Sequence, residues 1–191
     1  MPYEEWRPGL TLQPPVYLDS SVLIASFVTK DHRYTETTQL FADLLTNQAQ
    51  MFLSILTVSE SLWGLAKTSY LELFNKKSRE HFAPHIFRNH LEAIYNRYGD
   101  RMRSSVHDWL RDWRAAGITI DLLPTPDNIE RISAAAPVYM QTFQLASADA
   151  VHLATAETAA MSFLTTDTEF QRAAASPLNI FLIAGTSTQM G

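Results

Sequence analysis

The sequence predicts an α/β fold with a mostly parallel sheet covered by helices on both faces. Short apolar segments alternate with helical patterns along the chain, and parallel strands joined by helices give this arrangement. The 191 residues favour a single domain, and 46% hydrophobic against 18% charged residues is the composition of an ordinary globular protein. Because the sequence has no cysteine, thiolate metal sites, disulfides and cysteine nucleophiles are excluded.

The first part of the chain has the pattern of a β-α-β unit followed by a long helix. The predicted elements are a strand at 16–18, helices at 22–27 and 33–48, a strand at 51–53 and a helix at 57–74. The last of these begins at Thr57, because Thr57 and Glu60 have the T-x-x-E form of a capping box. The amino-terminal segment MPYEEW is assigned no strand.

The remaining strands follow a long helical segment. Residues 67–116 are helical in pattern and rich in Arg, Lys, His and aromatic residues, which predicts an enlarged helical insertion. Downstream, the predicted elements are a strand at 118–120, helices at 129–139 and 148–160, and strands at 162–165 and 179–183. Pro137 is expected to kink or restart the first of these helices, and Ser147 is expected to cap the second.

Four carboxylates lie where predicted strands end or predicted helices begin. They are Asp19, Glu60, Asp149 and Asp167. Ligands of a parallel sheet bind at the carboxyl ends of its strands, so these side chains are expected to meet at one edge. Converging carboxylates repel one another unless a cation compensates, and all-oxygen ligation fits Mg²⁺ or Mn²⁺. The pattern therefore predicts a hard divalent metal site.

Each acid also has a purely structural interpretation. Asp19 fits the N-cap of the helix that follows it, and Glu60 fits the capping box. Asp149 fits the favourable end of a helix dipole, and Asp167 fits an Asx-type turn. His152, on the same helical face as Asp149, is expected to pack or to hydrogen-bond rather than to bind the metal. The residues alone leave these alternatives open.

Four segments of the sequence together resemble the PIN-domain ribonucleases, including the VapC-type toxins. The segments are VYLDSSVLI at 16–24, TVSE at 57–60, SADAVHLATA at 147–156 and FLTTDTEF at 163–170. They occur in the order of the family, at the expected points of an α/β chain. The resemblance implies a PIN-like three-layer fold over residues 1–191, with the helical insertion at about 67–116.

The resemblance also implies an activity and partners. It implies an Mg²⁺- or Mn²⁺-dependent endoribonuclease in which water attacks the RNA phosphodiester in line. The catalytic and metal-binding residues would be Asp19, Glu60, Asp149 and Asp167. The supporting polar groups would be Ser20 and Thr166. Many toxin members are held inactive by a cognate antitoxin, so we expect an antitoxin partner and a homodimer.

The helical insertion differs in charge from the rest of the chain. Residues 67–114 contain ten Lys and Arg against six Asp and Glu, a net charge of +4, whereas the whole chain carries −5. The overall charge argues against a protein that coats polyanions, but the insertion is suited to RNA phosphates. Its candidate RNA-binding residues are Lys76, Lys77, Arg79, Arg101 and Arg103. A solvated helical face and a partner-binding surface are the alternatives.

Other function classes remain beside the toxin interpretation. An RNA-processing PIN nuclease would have the same motifs, and a PIN-like RNA- or protein-binding module would have lost catalysis. A haloacid-dehalogenase-like phosphatase would need an aspartate at position 21, which is Ser21, and nucleotide-binding glycine loops are absent from the sequence. No signal peptide or membrane-spanning segment is recognisable, so we expect a cytoplasmic protein without a membrane role.

Overall fold

Six strands form the central sheet of the computed structural model, which describes residues 3–74, 84–117, 119–123, 128–159 and 162–185. The strands are β1 (Tyr3–Glu5), β2 (Val16–Leu18), β3 (Met51–Ser54), β4 (Ile120–Leu123), β5 (Ser162–Thr165) and β6 (Ile180–Leu182). Their order in the sheet is β1-β6-β5-β2-β3-β4, and every neighbouring pair runs parallel. The predicted parallel sheet is confirmed.

Helices connect the strands and cover the sheet. They are α1 (Ser20–Phe27), α2 (Tyr34–Thr46), α3 (Ile55–Leu73), α4 (Pro84–Asn89), α5 (Leu91–Ala115), α6 (Ile129–Phe143) and α7 (Ser147–Thr158). A 3-10 helix over Thr168–Ala173 precedes β6. Within the described residues, no helix combines the length and the apolar character needed to cross a membrane.

The side chains of β2 enter two separate cores. Val16 and Leu18 pack in one core with Phe41 of α2, whereas Tyr17 packs in another core with Leu153 of α7. Successive residues of a strand point to opposite faces, so helices bury the sheet on both sides. This arrangement confirms the predicted three-layer α/β fold.

The helical insertion has a core of its own and also extends one helical layer. Tyr70 of α3, Phe87 of α4 and Ile94 of α5 are buried together. Farther along α5, Trp109 lies outside this cluster and packs edge-on against Phe41 of α2, with their ring centroids 5.3 Å apart. The long α5 therefore joins the insertion to the core on that face of the sheet.

The two edge strands depart from the sequence prediction. Tyr3–Glu5, for which no strand is predicted, pairs with β6 as strand β1. The strand predicted at 118–120 is Ile120–Leu123, paired with β3, and residue 118 lies outside the described residues. Edge strands tolerate exposed polar side chains such as Glu4 and Asp121, so their sequences lack a clear apolar pattern.

Helix α3 starts earlier than predicted, and this changes the interpretation of Glu60. The backbone N–H of Thr57 donates to Ser54 Oγ at 3.0 Å, and the Ser54 N–H donates to Thr57 Oγ1 at 3.2 Å. The capping box is thus formed by Ser54 and Thr57, with the threonine hydroxyl in the usual place of a glutamate. The predicted box of Thr57 and Glu60 is wrong, which leaves the Glu60 carboxylate available for other contacts.

Helices α6 and α7 also begin or end differently from the prediction. Helix α6 continues through Pro137 to Phe143 without restarting, because its packing against α7 compensates for the hydrogen bond that proline cannot donate. Gln144 follows with a left-handed backbone, at a φ of 55°. Ala146, in an extended conformation, then takes the N-cap of α7, so Ser147 is the first helical residue rather than the cap.

Candidate active site

The four predicted acids project from four different elements at the carboxyl end of the sheet. Asp19 follows β2 directly and is 4% exposed, and Asp167 is the second residue after the neighbouring strand β5. Glu60 lies on α3, and Asp149 lies in the first turn of α7. We call this set the acidic edge. The parallel pairing of Leu18 with Leu164 brings the ends of β2 and β5 together.

Two hydroxyl groups hold one oxygen of Asp19. Ser21 Oγ donates to Asp19 Oδ2 at 2.5 Å, and Thr165 Oγ1 donates to the same oxygen at 2.9 Å. The other oxygen, Oδ1, faces Ser20 Oγ at 3.4 Å and His152 Nε2 at 3.7 Å. The carboxylate is therefore oriented by its Oδ2 atom, while Oδ1 is directed into the acidic edge.

Glu60 is held by two donors on a single oxygen. Ser20 Oγ donates to Glu60 Oε2 at 2.8 Å, and His152 Nε2 lies 2.8 Å from the same atom. Burial alone would raise the pKa of Glu60, but the His152 contact, the Ser20 hydroxyl and the charge of Lys67 hold that pKa below its ordinary value. Glu60 is thus an anion, and its Oε1 atom accepts no hydrogen bond from the described residues.

His152 connects Glu60 to a buried tyrosine. Its ring is fully buried, and its Nδ1 atom lies 2.7 Å from the hydroxyl of Tyr17. That hydroxyl also donates to Ser54 Oγ at 2.7 Å. Burial opposes a charge on His152, but its contact with Glu60 and the charge of Asp19 raise the pKa of the imidazole. The Glu60 carboxylate can only accept, so Nε2 is the donor in that contact.

Asp149 has no such partners. Its carboxyl accepts no hydrogen bond from any residue that the structure describes. Burial raises its pKa to about 6, with further contributions from the negative charges of Asp19, Asp167 and Glu60 and a partial offset from His152. The four carboxyls are thus close enough to repel one another, and at Asp149 burial adds to this repulsion.

Asp167 combines a structural contact with a place at the acidic edge. Its Oδ1 atom accepts a hydrogen bond from the backbone N–H of Glu169 at 2.8 Å and caps the 3-10 helix. Its charge also raises the pKa of Asp149. The Asx-type turn and the nearness to the other acids therefore occur together, and neither interpretation excludes the other.

The donor set fits a hard divalent cation. Within the described part of the chain, ligand atoms of Asp19, Glu60 and His152 all lie within 4.8 Å of one another, and Asp149 and Asp167 stand outside this tight group. Free carboxylate oxygens and uncompensated repulsion are what a Mg²⁺ or Mn²⁺ ion would relieve. The residues expected to contact it would be Asp19, Glu60, Asp149 and Asp167.

A family comparison agrees with this fold. The family model described as PIN domain matches residues 16–176, most of the chain. The chain belongs to the PIN domain family. This match confirms the family recognised from the four sequence segments, and PIN domains are generally nucleases. The extent of the domain over all of residues 1–191 stays a prediction.

Two solved structures are similar to this PIN domain. The crystal structure of VapBC2 from Rickettsia felis bound to a DNA fragment from their promoter matches at a TM-score of 0.51 with 12% identity, covering 87% of this chain and 97% of that chain. The crystal structure of FitAcB from Neisseria gonorrhoeae matches at 0.46 with 19% identity, covering 88% and 98%. At these identities the likeness concerns the fold. No curated protein matches the sequence.

The predicted supporting residues of the PIN domain occupy different places. Ser20 contacts Glu60 directly. The hydroxyl and the carbonyl oxygen of Thr166 instead accept hydrogen bonds from Arg33 Nη1, at 2.7 Å and 3.1 Å. Arg33 is in turn paired with Asp31 at 3.0 Å. Ser20 thus contacts an acid of the site, whereas the Thr166 side chain contacts Arg33. The supporting roles of both residues stay predictions.

Ser21, Thr165 and Tyr17 contact the site and were missed from the sequence. Thr165 ends the strand beside β2, but that neighbourhood depends on a sheet order that the sequence does not show. Tyr17 does have a signal, because residues two apart on a strand share a face and Tyr17 precedes Asp19 by two. Ser21 follows Asp19 by two residues, and nothing in the sequence marks its hydroxyl as a donor to that carboxylate.

The candidate RNA-binding residues of the insertion are partly described. Arg101 on α5 lies 3.6 Å from Glu72 of α3, and Arg103 is paired with Asp100 of its own helix. Both arginines are largely exposed. The remaining candidates, Lys76, Lys77 and Arg79, lie outside the described residues. Their role in RNA binding stays a prediction.

Proposed function

We propose that this PIN domain is an Mg²⁺- or Mn²⁺-dependent endoribonuclease and the toxin of a toxin-antitoxin pair. One observation carries the nuclease proposal. Four carboxyls from four elements converge at one edge, and the pKa of Asp149 is raised to about 6 by burial and by the negative charges of Asp19, Asp167 and Glu60. A fold does not accumulate this unfavourable charge for its own stability, so the arrangement favours a bound cation.

The acidic edge supplies oxygen ligands with fixed orientation. Asp19, Glu60, Asp149 and Asp167 would hold the ion. When bound, a divalent cation lowers the pKa of its water and stabilises the charge that develops on a phosphodiester. Ser21 and Thr165 keep Asp19 Oδ2 in place and leave Oδ1 for this task. Fixed ligand orientation matters because the reacting groups must be aligned before reaction.

RNA as the substrate is supported by the insertion and by the family resemblance. The net positive charge of residues 67–114 would attract a phosphate backbone that the acidic edge repels. Exposed Tyr95 on α5 could stack on an unpaired base. Single-stranded or looped RNA is therefore the proposed substrate class.

The toxin role and its partners rest on the comparison with VapBC2. That structure is a complex bound to promoter DNA, which supports an antitoxin as the partner of this chain. A homodimer is proposed from the same resemblance. An RNA-processing nuclease would use the same acids, and a toxin differs because it arrests growth when produced without its antitoxin. The retained acids argue against a module that has lost catalysis.

The nuclease proposal is tested by cleavage of labelled single-stranded RNA by the purified protein. We expect cleavage with Mg²⁺ or Mn²⁺ and none with EDTA. Asp19→Asn and Asp149→Asn should each lower the cleavage rate at least about 100-fold, because each removes a charge that stabilises the transition state through the cation.

Asp108→Asn is the matched control for these variants. Asp108 is an acid of α5 paired with Arg111 at 2.7 Å, away from the acidic edge. Its variant should cleave at the rate of the unmodified protein. The proposal fails if the unmodified protein cleaves no RNA with either metal, or if Asp19→Asn and Asp149→Asn cleave as fast as the control.

A further inference from the structure

A buried chain of hydrogen bonds runs behind the acidic edge. It comprises Tyr17 and His152 together with Ser54 and Thr57, and we call it the Tyr17 network. The Tyr17 hydroxyl contacts Ser54 Oγ at 2.7 Å, Thr57 Oγ1 at 3.1 Å and His152 Nδ1 at 2.7 Å. All four side chains are buried, so water does not compete for these bonds.

The Tyr17 network joins the elements that carry three of the acids. Tyr17 precedes Asp19 by two residues on β2, and His152 follows Asp149 by one turn on α7. Ser54 and Thr57 form the capping box of α3, the helix that carries Glu60. A single phenol group thus contacts the strand end before α3, the first turn of α3 and helix α7.

The network reaches the acidic edge through one atom. His152 Nε2 lies 2.8 Å from Glu60 Oε2 and 3.7 Å from Asp19 Oδ1. The other ring nitrogen is occupied by Tyr17, which fixes the plane of the imidazole. With the ring fixed, the N–H of Nε2 can define the orientation of the Glu60 carboxylate, in the way that hydrogen-bonded neighbours orient the ligands of metal sites.

We propose that Tyr17 and His152 are positioning residues that hold the Glu60 carboxylate in the orientation needed to bind a divalent cation. The inference rests on the proposed metal site. His152 acts through Glu60 and is not itself a ligand, because Nε2 donates to the Glu60 carboxylate and Nδ1 is occupied by the Tyr17 hydroxyl. Tyr17 acts one step farther back, through His152.

The test measures Mn²⁺ affinity without RNA, so that it does not depend on turnover. His152→Leu introduces an apolar side chain and removes both ring nitrogens, and it should weaken Mn²⁺ binding about 10- to 100-fold. His152→Gln retains an N–H near the position of Nε2 and should remain within a few-fold of the unmodified protein. Tyr17→Phe keeps the ring that stacks on Phe163 and should weaken binding by a smaller factor than His152→Leu.

Two comparisons separate positioning from general loosening of the fold. Tyr139→Phe removes another buried hydroxyl, one that donates to Glu157 far along α7, and should leave Mn²⁺ affinity unchanged. Tyr17→Phe added to His152→Leu should cause no further loss of affinity, because both act through the same contact. Thermal unfolding shows which variants are folded. If His152→Leu is not folded, the Mn²⁺ affinities of Tyr17→Phe and His152→Gln test the proposal.

The imidazole N–H resonances distinguish positioning from ligation. In ¹⁵N-labelled protein saturated with Mg²⁺, the N–H signal of His152 Nε2 should persist, and in Tyr17→Phe the ¹⁵N resonance of Nδ1 should shift. Loss of the Nε2 signal on adding Mg²⁺ would make His152 a ligand and overturn the inference. Equal Mn²⁺ affinity in folded His152→Leu would also overturn it. A failure of the unmodified protein to bind Mn²⁺ would instead reject the proposed function.

Discussion

The acidic edge and the helical insertion differ in how their charged side chains are paired. At the acidic edge, Asp19 is held mainly by neutral hydroxyls, and Asp149 has no donor among the described residues. In the insertion, Arg103 and Arg111 are paired with acids of their own helix, at exposed positions. Asp149 is therefore left without a compensating partner among the described residues, whereas these two arginines of the insertion are paired locally.

The difference shows which charged groups lower the free energy of unfolding. Exposed ion pairs such as those of α5 contribute little, about 0–1 kcal/mol each, because water screens them and side-chain entropy opposes them. Partly buried carboxyls that face one another destabilise the fold until a cation arrives. The acidic edge thus has the unfavourable charge expected of the proposed metal site, whereas the pairs of the insertion are compatible with a solvated surface.

The largest expected difference between the regions appears in the pH dependence of stability. The pKa of Asp149 is raised from 3.8 to about 6, so the folded state favours its protonated form. The resulting stability is complete below pH 4 and is lost as pH rises through about 6. Two pKa units correspond to about 3 kcal/mol, and we expect about 1–2 because the half-buried carboxyl is partly screened.

Asp149→Asn should remove this loss. In urea unfolding with EDTA, the variant should match the unmodified protein at pH 4 and exceed its free energy of unfolding by about 1–2 kcal/mol at pH 7. Added Mg²⁺ should stabilise the unmodified protein more than Asp149→Asn at pH 7 and so reduce or reverse the difference. If Asp149→Asn is less stable than the unmodified protein at pH 7 in EDTA, the acidic edge does not carry the uncompensated charge described above.

The smallest expected effects belong to the insertion. Arg101→Ala removes the exposed contact with Glu72, and we expect a change of less than about 0.5 kcal/mol in the free energy of unfolding. If Arg101 contacts a phosphate, the variant should bind RNA a few-fold more weakly, with a salt-dependence slope reduced by about 1. Fluorescence anisotropy at several salt concentrations measures both.

Arg101→Lys serves as the matched control in that titration, since it keeps the charge. It should retain most of the RNA affinity. A loss of more than about 1 kcal/mol in the free energy of unfolding of Arg101→Ala would contradict the view that exposed charges of the insertion contribute little to stability. Unchanged RNA affinity and slope would instead remove Arg101 from the candidate RNA-binding residues.

The sequence predicts the positions of the acids better than it predicts their contacts. Asp19 and Asp167 follow buried apolar strands, and the parallel arrangement alone sends both to one edge. The contact between Glu60 and His152 joins residues 92 positions apart, so it depends on how α3 packs beside α7. The same limit applies to β1. Its two exposed glutamates give no apolar pattern, and the strand forms because it pairs with the free side of β6.

Local sequence signals also compete with one another. In the structure, Ser54 and Thr57 form a capping box three residues ahead of the predicted pattern of Thr57 and Glu60. Because the end of β3 fixes where the chain leaves the sheet, Ser54 is at the correct place to begin the helix. Tertiary position thus overrides the T-x-x-E pattern, and Glu60 contacts Ser20 and His152 instead.

Calorimetric titration with Mn²⁺ tests most directly whether the acidic edge is one metal site. The unmodified protein should bind Mn²⁺ saturably, Asp108→Asn should bind with the same affinity, and Asp19→Asn and Asp149→Asn should each bind at least about 10-fold more weakly. Mn²⁺ affinities that are equal in all four proteins, or an unmodified protein that binds none, would contradict the account.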